Sequence, residues 1–398
     1  MPKFHLWPEE PIQNEDMIEL AATLEKSSQD RKRIWFRLPS ASLSSLPRNL
    51  DHFVLAVLFN AMRSSADLEI HGEVSPSLLF NLEEFQKAWA LWFPEKYHQV
   101  GFFAATEQDL PRVAKNEIIM AFSGGVDSTF TAWQHRLKPD DLQQKKLVAG
   151  VMVHGFDIPL SQPEMFARAS EKSRLMLHSI GVNLIPVSTN MREDNCDWND
   201  YHGAALAACL MLFQEQFSGA LIASSYPYND LSFPWGSNPI TDPMLSNNAF
   251  NIIHDGVGFD RAEKVRQISL WPEARQFLRV CWVGRNLDRN CCRCIKCVGA
   301  ILLFRLAGQM SLPAFPYDLT DREIRHLKFN DLEAMQRYIK LLSAGNFSDS
   351  SVRALKLAVF INRIRQAGDR FALSKKVFNL VGSRWFFDRD LAGDRLDR

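Results

Sequence analysis

A chain of 398 residues has room for two or three domains with sizeable cores. Lys+Arg and Asp+Glu both total 46, so no global field draws in nucleic acid or an anionic membrane, and neither is an expected partner. Hydrophobic residues at 46% and charged residues at 23% are those of a globular chain, and no uninterrupted apolar stretch is long enough to span a bilayer.

The first residues, Met1 to Glu10, lack an apolar h-region and turn acidic at once, which predicts no secretory signal and a cytoplasmic protein. Residues 1–114 are expected to form an α+β domain. Arg33–Leu38 and Ala66–His71 read as strands, Leu50–Met62 has apolar residues at helical spacing, and Ser75–Trp92 is an amphipathic helix with Pro76 near its start. Phe85, Trp89, Trp92 and Phe93 offer either a base-stacking surface or core, and their helical spacing favours core.

Residues 115–310 are expected to form an α/β domain. Glu117 to Ala121 is a buried strand, followed by the turn Ser123-Gly124-Gly125 and then by Asp127, Ser128 and Thr129, which can open a helix. A strand, a glycine turn and a helix N-terminus bring free backbone N–H groups and a positive dipole end to one point, which is a phosphate cradle. No Gly-Lys-Ser/Thr follows, so this is not a Walker A loop. The strand–helix rhythm continues through Leu147–Val153, Glu164–Ile180, Val182–Val187, Tyr201–Phe217 and Ala220–Ser225. Such alternation predicts a doubly wound parallel sheet with ligands beyond the strands' carboxyl ends. His154 and Asp157 are substrate contacts or turn residues at that rim. Residues 226–260, rich in Pro, Asn, Asp and aromatics, are expected to be an ordered active-site loop in which Trp235, Ser237 and Asp242 line an acceptor pocket. Residues 311–398 are expected to be a helical region, with helices over 318–342, 350–366 and 374–381 and a solvated tail from Asp388.

Five of the seven cysteines fall between 281 and 297. Cys291, Cys294 and Cys297 are spaced C-x2-C-x2-C, and Cys281 can complete a set of four thiolates suited to Zn²⁺. Arg285, Arg289, Arg293 and Lys296 would offset the thiolate charge. Reduced buried cysteines and an iron–sulfur cluster are the alternatives. Cys292 is a spare thiol or an alternative fourth ligand, and Cys196 and Cys209 are expected to be structural.

Ser123-Gly124-Gly125-Val126-Asp127-Ser128 resembles the S-G-G-x-D-S signature of the PP-loop ATP pyrophosphatases. Together with the cysteines, and with Arg261-Ala262-Glu263-Lys264-Val265, which looks like a Lys-Ala-Glu-Ile-Val helix, it resembles the 7-cyano-7-deazaguanine synthases over residues 115 to about 305. That resemblance implies ATP, Mg²⁺ and a structural Zn²⁺ held by Cys281, Cys291, Cys294 and Cys297. Ser123, Gly124, Gly125, Asp127 and Ser128 would bind pyrophosphate, and Asp127, Ser128, Arg261 and Lys264 would form the catalytic set. The implied reaction is adenylation of a carboxylate, 7-carboxy-7-deazaguanine or a related heterocyclic acid, followed by attack of a nitrogen nucleophile with release of AMP. The chain departs from the synthases in its flanking regions, in Cys292 where they usually have glycine, and in His154-Gly155-Phe156-Asp157 in place of a Tyr-Gly-Gln stretch. Longer synthase-like paralogues occur in bacterial defence gene clusters. A tRNA sulfurtransferase using Cys196, and a catalytically silent nucleotide-binding scaffold that meets a protein partner through its N- or C-terminal region, are the rival readings.

Overall fold

A computed structural model describes residues 2–138, 145–193, 196–231, 233–283, 286–317, 319–328, 332–344 and 350–370. The chain divides into two compact units, one of Met1–Cys291 with Leu303–Pro316 and the other of Cys292–Leu302 with the chain from Tyr317.

The first unit is built on one mixed sheet of eleven strands. In chain order these are β1 (Lys3–Pro8), β2 (Ile12–Asn14), β3 (Met17–Ser27), β4 (Asp30–Pro39), β5 (Asp67–Val74), β6 (Phe102–Glu107), β7 (Glu117–Ala121), β8 (Lys146–His154), β9 (Asn183–Thr189), β10 (Gly219–Ala223) and β11 (Asn251–Asp255). They lie in the order β11-β10-β7-β8-β9-β4-β3-β1-β5-β6, with β2 on β3. The helices of this unit are α1 (Asp51–Ser64), α2 (Pro76–Trp92), α3 (Val126–Arg136), α4 (Pro163–His178), α5 (Trp198–Met211), α6 (Arg261–Ile268) and α7 (Pro272–Phe277).

The expected parallel sheet is present over β11-β10-β7-β8-β9. The sheet does not stop there. β4 pairs antiparallel with β9, Phe36 opposite Thr189, and the antiparallel strands β3 and β1 continue it. The boundary expected near residue 114 therefore falls inside one sheet, and one apolar core runs from Phe4 and Phe36 to Val187, Ile222 and Phe250. The physical reason is the edge of β9, whose free N–H and C=O groups need a partner strand. Trp89 and Phe85 are fully buried, and Trp89 packs edge-on against Phe59 and Tyr97, so these aromatics form core.

β7 is the pivot of the parallel part. β8 and β9 are added on one side of it, and β10 and β11 on the other. The strand order thus reverses at β7, and the crevice beyond its carboxyl end is where such sheets bind ligands. The segment Ser123 to Ser128 begins there.

The second unit is helical. It takes in most of α8 (Ile295–Leu306), then α9 (Asp321–His326), α10 (Leu332–Ala344) and α11 (Ser350–Arg370). The single helix expected over 318–342 is split, because a Thr320–Glu323 capping box starts α9 and Leu327 turns extended at its end. Gly299 of α8 lies under the Tyr338 ring, where a Cβ would come within 2.3 Å of it. The helix expected over 374–381, the tail from Asp388, and Arg285 lie outside the described residues. Among the described residues no helix is long and apolar enough to cross a membrane.

Candidate functional site

The loop after β7 is shaped by its own side chains. Gly124 has φ +73, a left-handed conformation that glycine adopts without strain. Gly125 is the N-cap of α3, and its carbonyl accepts the Thr129 N–H at 2.9 Å. Ser128, nearly buried, turns back into the loop: its Oγ accepts from the Ser123 N–H and donates to the Gly125 carbonyl, both at 3.3 Å. Ser123 Oγ in turn accepts from the Gly125 N–H at 3.3 Å. The two serines therefore stiffen the turn, while the first N–H groups of α3 lack intrahelical acceptors.

Asp127 stands one position into α3 and is held from two sides. Arg261 Nη2 reaches its Oδ2 at 2.7 Å, and Lys264 Nζ its Oδ1 at 3.3 Å. Both cations come from α6, opened by a capping box in which Asp260 accepts from the Glu263 N–H and Glu263 accepts from the Asp260 N–H. A spacing of three residues puts Arg261 and Lys264 on one face of that helix. The two positions behave differently. Lys264 is 2% exposed, and its ammonium also donates to Ser224 O at 2.7 Å and Ser224 Oγ at 2.9 Å. Its three N–H groups are therefore all used. Burial pulls its pKa below the ordinary lysine value, against the opposing pull of Asp127. Arg261, by contrast, keeps a side chain 24% exposed. Asp127 thus lies between two cations of different exposure.

Two groups that sequence reasoning missed complete the site. Arg279 is a buried arginine whose backbone N–H donates to Gly124 O at 2.8 Å. Its guanidinium donates to Ser123 O at 3.1 Å and Leu287 O at 3.2 Å, and approaches Asp157 at 3.5 Å. Its signal was a charge inside the apolar run Leu278-Arg279-Val280-Cys281, the mark of a buried cation that needs carbonyls. The second group is Asp255 at the end of β11. It accepts from Thr131 at 2.7 Å and His135 Nε2 at 3.1 Å, while His135 Nδ1 accepts the Lys145 N–H. This fixes the His135 tautomer and ties α3 to the strand beside Ser224, whose N–H donates to the Asp255 carbonyl.

Other expected site residues are placed elsewhere. His154 donates to Pro159 O at 2.9 Å and stacks on Phe166, so it builds the turn after β8. Asp157 of the same turn reaches the loop through Arg279. In the long loop, Asp242 is wholly buried and accepts from Ser237, His254 and the Asn238 N–H. Ser237 and Asp242 thus pin the loop to β11 and do not line a pocket. Cys196 donates to Asn60 Oδ1 at 3.7 Å, and Cys209 is buried at a helix face with its thiol pKa pushed up by burial.

The sulfurs of Cys281, Cys291, Cys294 and Cys297 lie within 4.8 Å of one another, a cluster able to bind a metal ion. The Cys281 N–H donates to Asn290 Oδ1 at 3.2 Å, and the Cys297 N–H to Cys294 Sγ at 3.5 Å. Four thiolates around an ion with metal–sulfur bonds of about 2.3 Å sit about 3.8 Å apart, so the donor set fits tetrahedral Zn²⁺. Cys292 is outside this group. It is buried at φ +59, a conformation that explains why glycine suits this position.

No protein-family model matches the chain, and neither curated proteins nor solved structures yield a match.

Proposed function

We propose that this chain is an ATP-dependent enzyme that adenylates a carboxylate and passes the acyl group to nitrogen. The observation that carries the reading is the glycine turn at the switch strand β7, next to Asp127 held between Arg261 and Lys264. A carboxylate resists attack because oxide would have to leave. When its oxygen attacks the α-phosphorus of ATP, pyrophosphate departs and the oxygen becomes part of a good leaving group. A nitrogen nucleophile then forms the carbon–nitrogen bond, loses a proton, and AMP leaves. 7-carboxy-7-deazaguanine or a related heterocyclic acid is the proposed acceptor, on the resemblance of the motifs.

The work left to the protein is positioning and charge stabilisation. The first N–H groups of α3, which lack intrahelical acceptors, and the Arg261 guanidinium are suited to the pyrophosphate oxygens. Lys264, saturated by its partners, acts on Asp127 rather than on phosphate. Mg²⁺ would enter with the triphosphate, and Asp127, whose oxygens each keep a lone pair, is the residue that would face it. In the cysteine cluster four thiolates leave no open position, so Zn²⁺ there would hold structure and activate no water.

ATP–pyrophosphate exchange tests the reading. Exchange that depends on the heterocyclic acid supports it. Exchange that appears only with tRNA points to the sulfurtransferase, and none with either acceptor leaves a silent scaffold.

A further inference from the structure

A second cluster of metal-ligating side chains lies on the other arm of the sheet. β1 and β5 pair in parallel with His5 opposite Glu69 and Leu6 opposite Ile70. Alternation then places Phe4, Leu6, Leu68 and Ile70 in the core, and His5, Trp7, Glu69 and His71 together on the opposite face. His5 Nδ1 and His71 Nε2 are 3.0 Å apart, and Glu69 Oε2 is 4.0 Å from the same His5 nitrogen. The Trp7 indole stacks flat on the His71 ring, 3.3 Å between centroids and 3° between planes, which fixes the imidazole's orientation.

We infer that His5, Glu69 and His71 form a binding site for a divalent transition-metal ion of the Zn²⁺ class, separate from the cysteine cluster. Two nitrogens on a tetrahedral Zn²⁺ at bond lengths of about 2.0–2.1 Å are about 3.3 Å apart, close to the observed spacing. Two facing imidazoles can share one proton at most, so at least one lone pair is directed into the gap. Lys3 lies 3.2 Å from Glu69 and competes for it through a side chain that is 51% exposed. Glu25, opposite His5 on β3, is taken up by Arg31 at 3.2 Å. His5 and Glu69 side chains are 34% and 35% exposed, so a three-ligand ion here keeps a position open to water or to a further ligand.

The test is a cobalt titration of the full chain with its cysteine-site metal content measured beforehand. One added equivalent of Co²⁺ is expected, with weak visible bands and no thiolate-to-cobalt charge transfer. His71→Ala and His5→Ala should each weaken that uptake at least tenfold, with circular dichroism unchanged because these side chains lie on the sheet surface. Glu69→Gln should weaken it less. Added uptake unchanged in both histidine variants, uptake marked by strong charge-transfer bands, or no added equivalent would each overturn the site.

Discussion

The backbone N–H of Arg279 donates to the carbonyl of Gly124, and the guanidinium of the same residue donates to the carbonyl of Ser123. One arginine thus holds two consecutive carbonyls of the glycine turn, whose Ser123 and Gly125 N–H groups are taken by Ser128 Oγ and Ser123 Oγ. Cys281 follows two residues later, and its carbonyl lies 3.5 Å from the same guanidinium.

Arg279→Lys should therefore loosen the loop without removing the charge. An ammonium cannot reproduce the planar fork that spans Ser123 O and Leu287 O. ATP affinity, measured by calorimetry, is expected to fall at least tenfold while circular dichroism stays native. Affinity equal to the parent would remove Arg279 from the loop's support.

Gly124→Ala is expected to be costly, because φ +73 is a left-handed conformation and the new Cβ would lie 3.2 Å from Ser173 Oγ. The backbone penalty alone is about 1–2 kcal/mol. Gly258→Ala is the control, since nothing stands within 4 Å of its added Cβ. Thermal unfolding of the two variants should separate them by several degrees, the Gly124 variant lower.

Asp127→Asn should impair both stability and chemistry. It leaves the buried Lys264 cation without its carboxylate, and breaking a buried ion pair costs about 3–5 kcal/mol; Asp127 is itself 21% exposed, which places the loss below that range. AMP release should fall at least 100-fold. The double variant Asp127→Asn with Lys264→Met should regain stability but not activity. Activity at the parental rate in either would take Asp127 out of the mechanism.

His52 makes stability depend on pH. It is wholly buried, neither ring nitrogen has a hydrogen-bond partner, and burial pushes its pKa from 6.5 down to about 3. Between those values the unfolded chain binds a proton that the folded chain refuses, so stability falls as pH drops from 6.5 toward 3 and is full above 6.5. His52→Leu should flatten that part of the acid slope, read from urea midpoints at several pH values. Parallel slopes in parent and variant would contradict the assignment.

The cysteines offer a fifth contrast. Cys291→Ser and Cys294→Ser should lower both the zinc content and the heat stability of the purified chain, whereas Cys292→Ser should keep one equivalent of zinc. Elemental analysis decides this, and zinc lost from the Cys292 variant would exchange the ligand.

How much of this was legible follows from the range of the contacts. β7, its glycine turn and α3 are local, so apolar run, turn and helix start could be read along the chain, and Arg261 and Lys264 by their motif. β3 was invisible because Met17–Ser27 is rich in Leu, Ala and Glu, which favour helix; it is a strand because β1 and β4 pair it on both sides and Arg33 and Arg37 neutralise its buried Glu19. Arg279 and Asp255 were missed for a related reason. Their partners, Ser123 and Thr131, are more than a hundred positions away, and no local period marks such a contact. Ser237 and Asp242 were read as pocket residues because polar side chains in a long loop look exposed until the strand that covers them, β11, is known.

In the proposed reaction an acid oxygen attacks the α-phosphorus of ATP. The direct measurement uses the heterocyclic acid labelled with ¹⁸O in its carboxylate, incubated with the full chain, ATP, Mg²⁺ and ammonium, and recovers the nucleotide for mass spectrometry. AMP carrying one heavy oxygen taken from the acid is the expected product. Unlabelled AMP, or ADP and phosphate as the products, would contradict it.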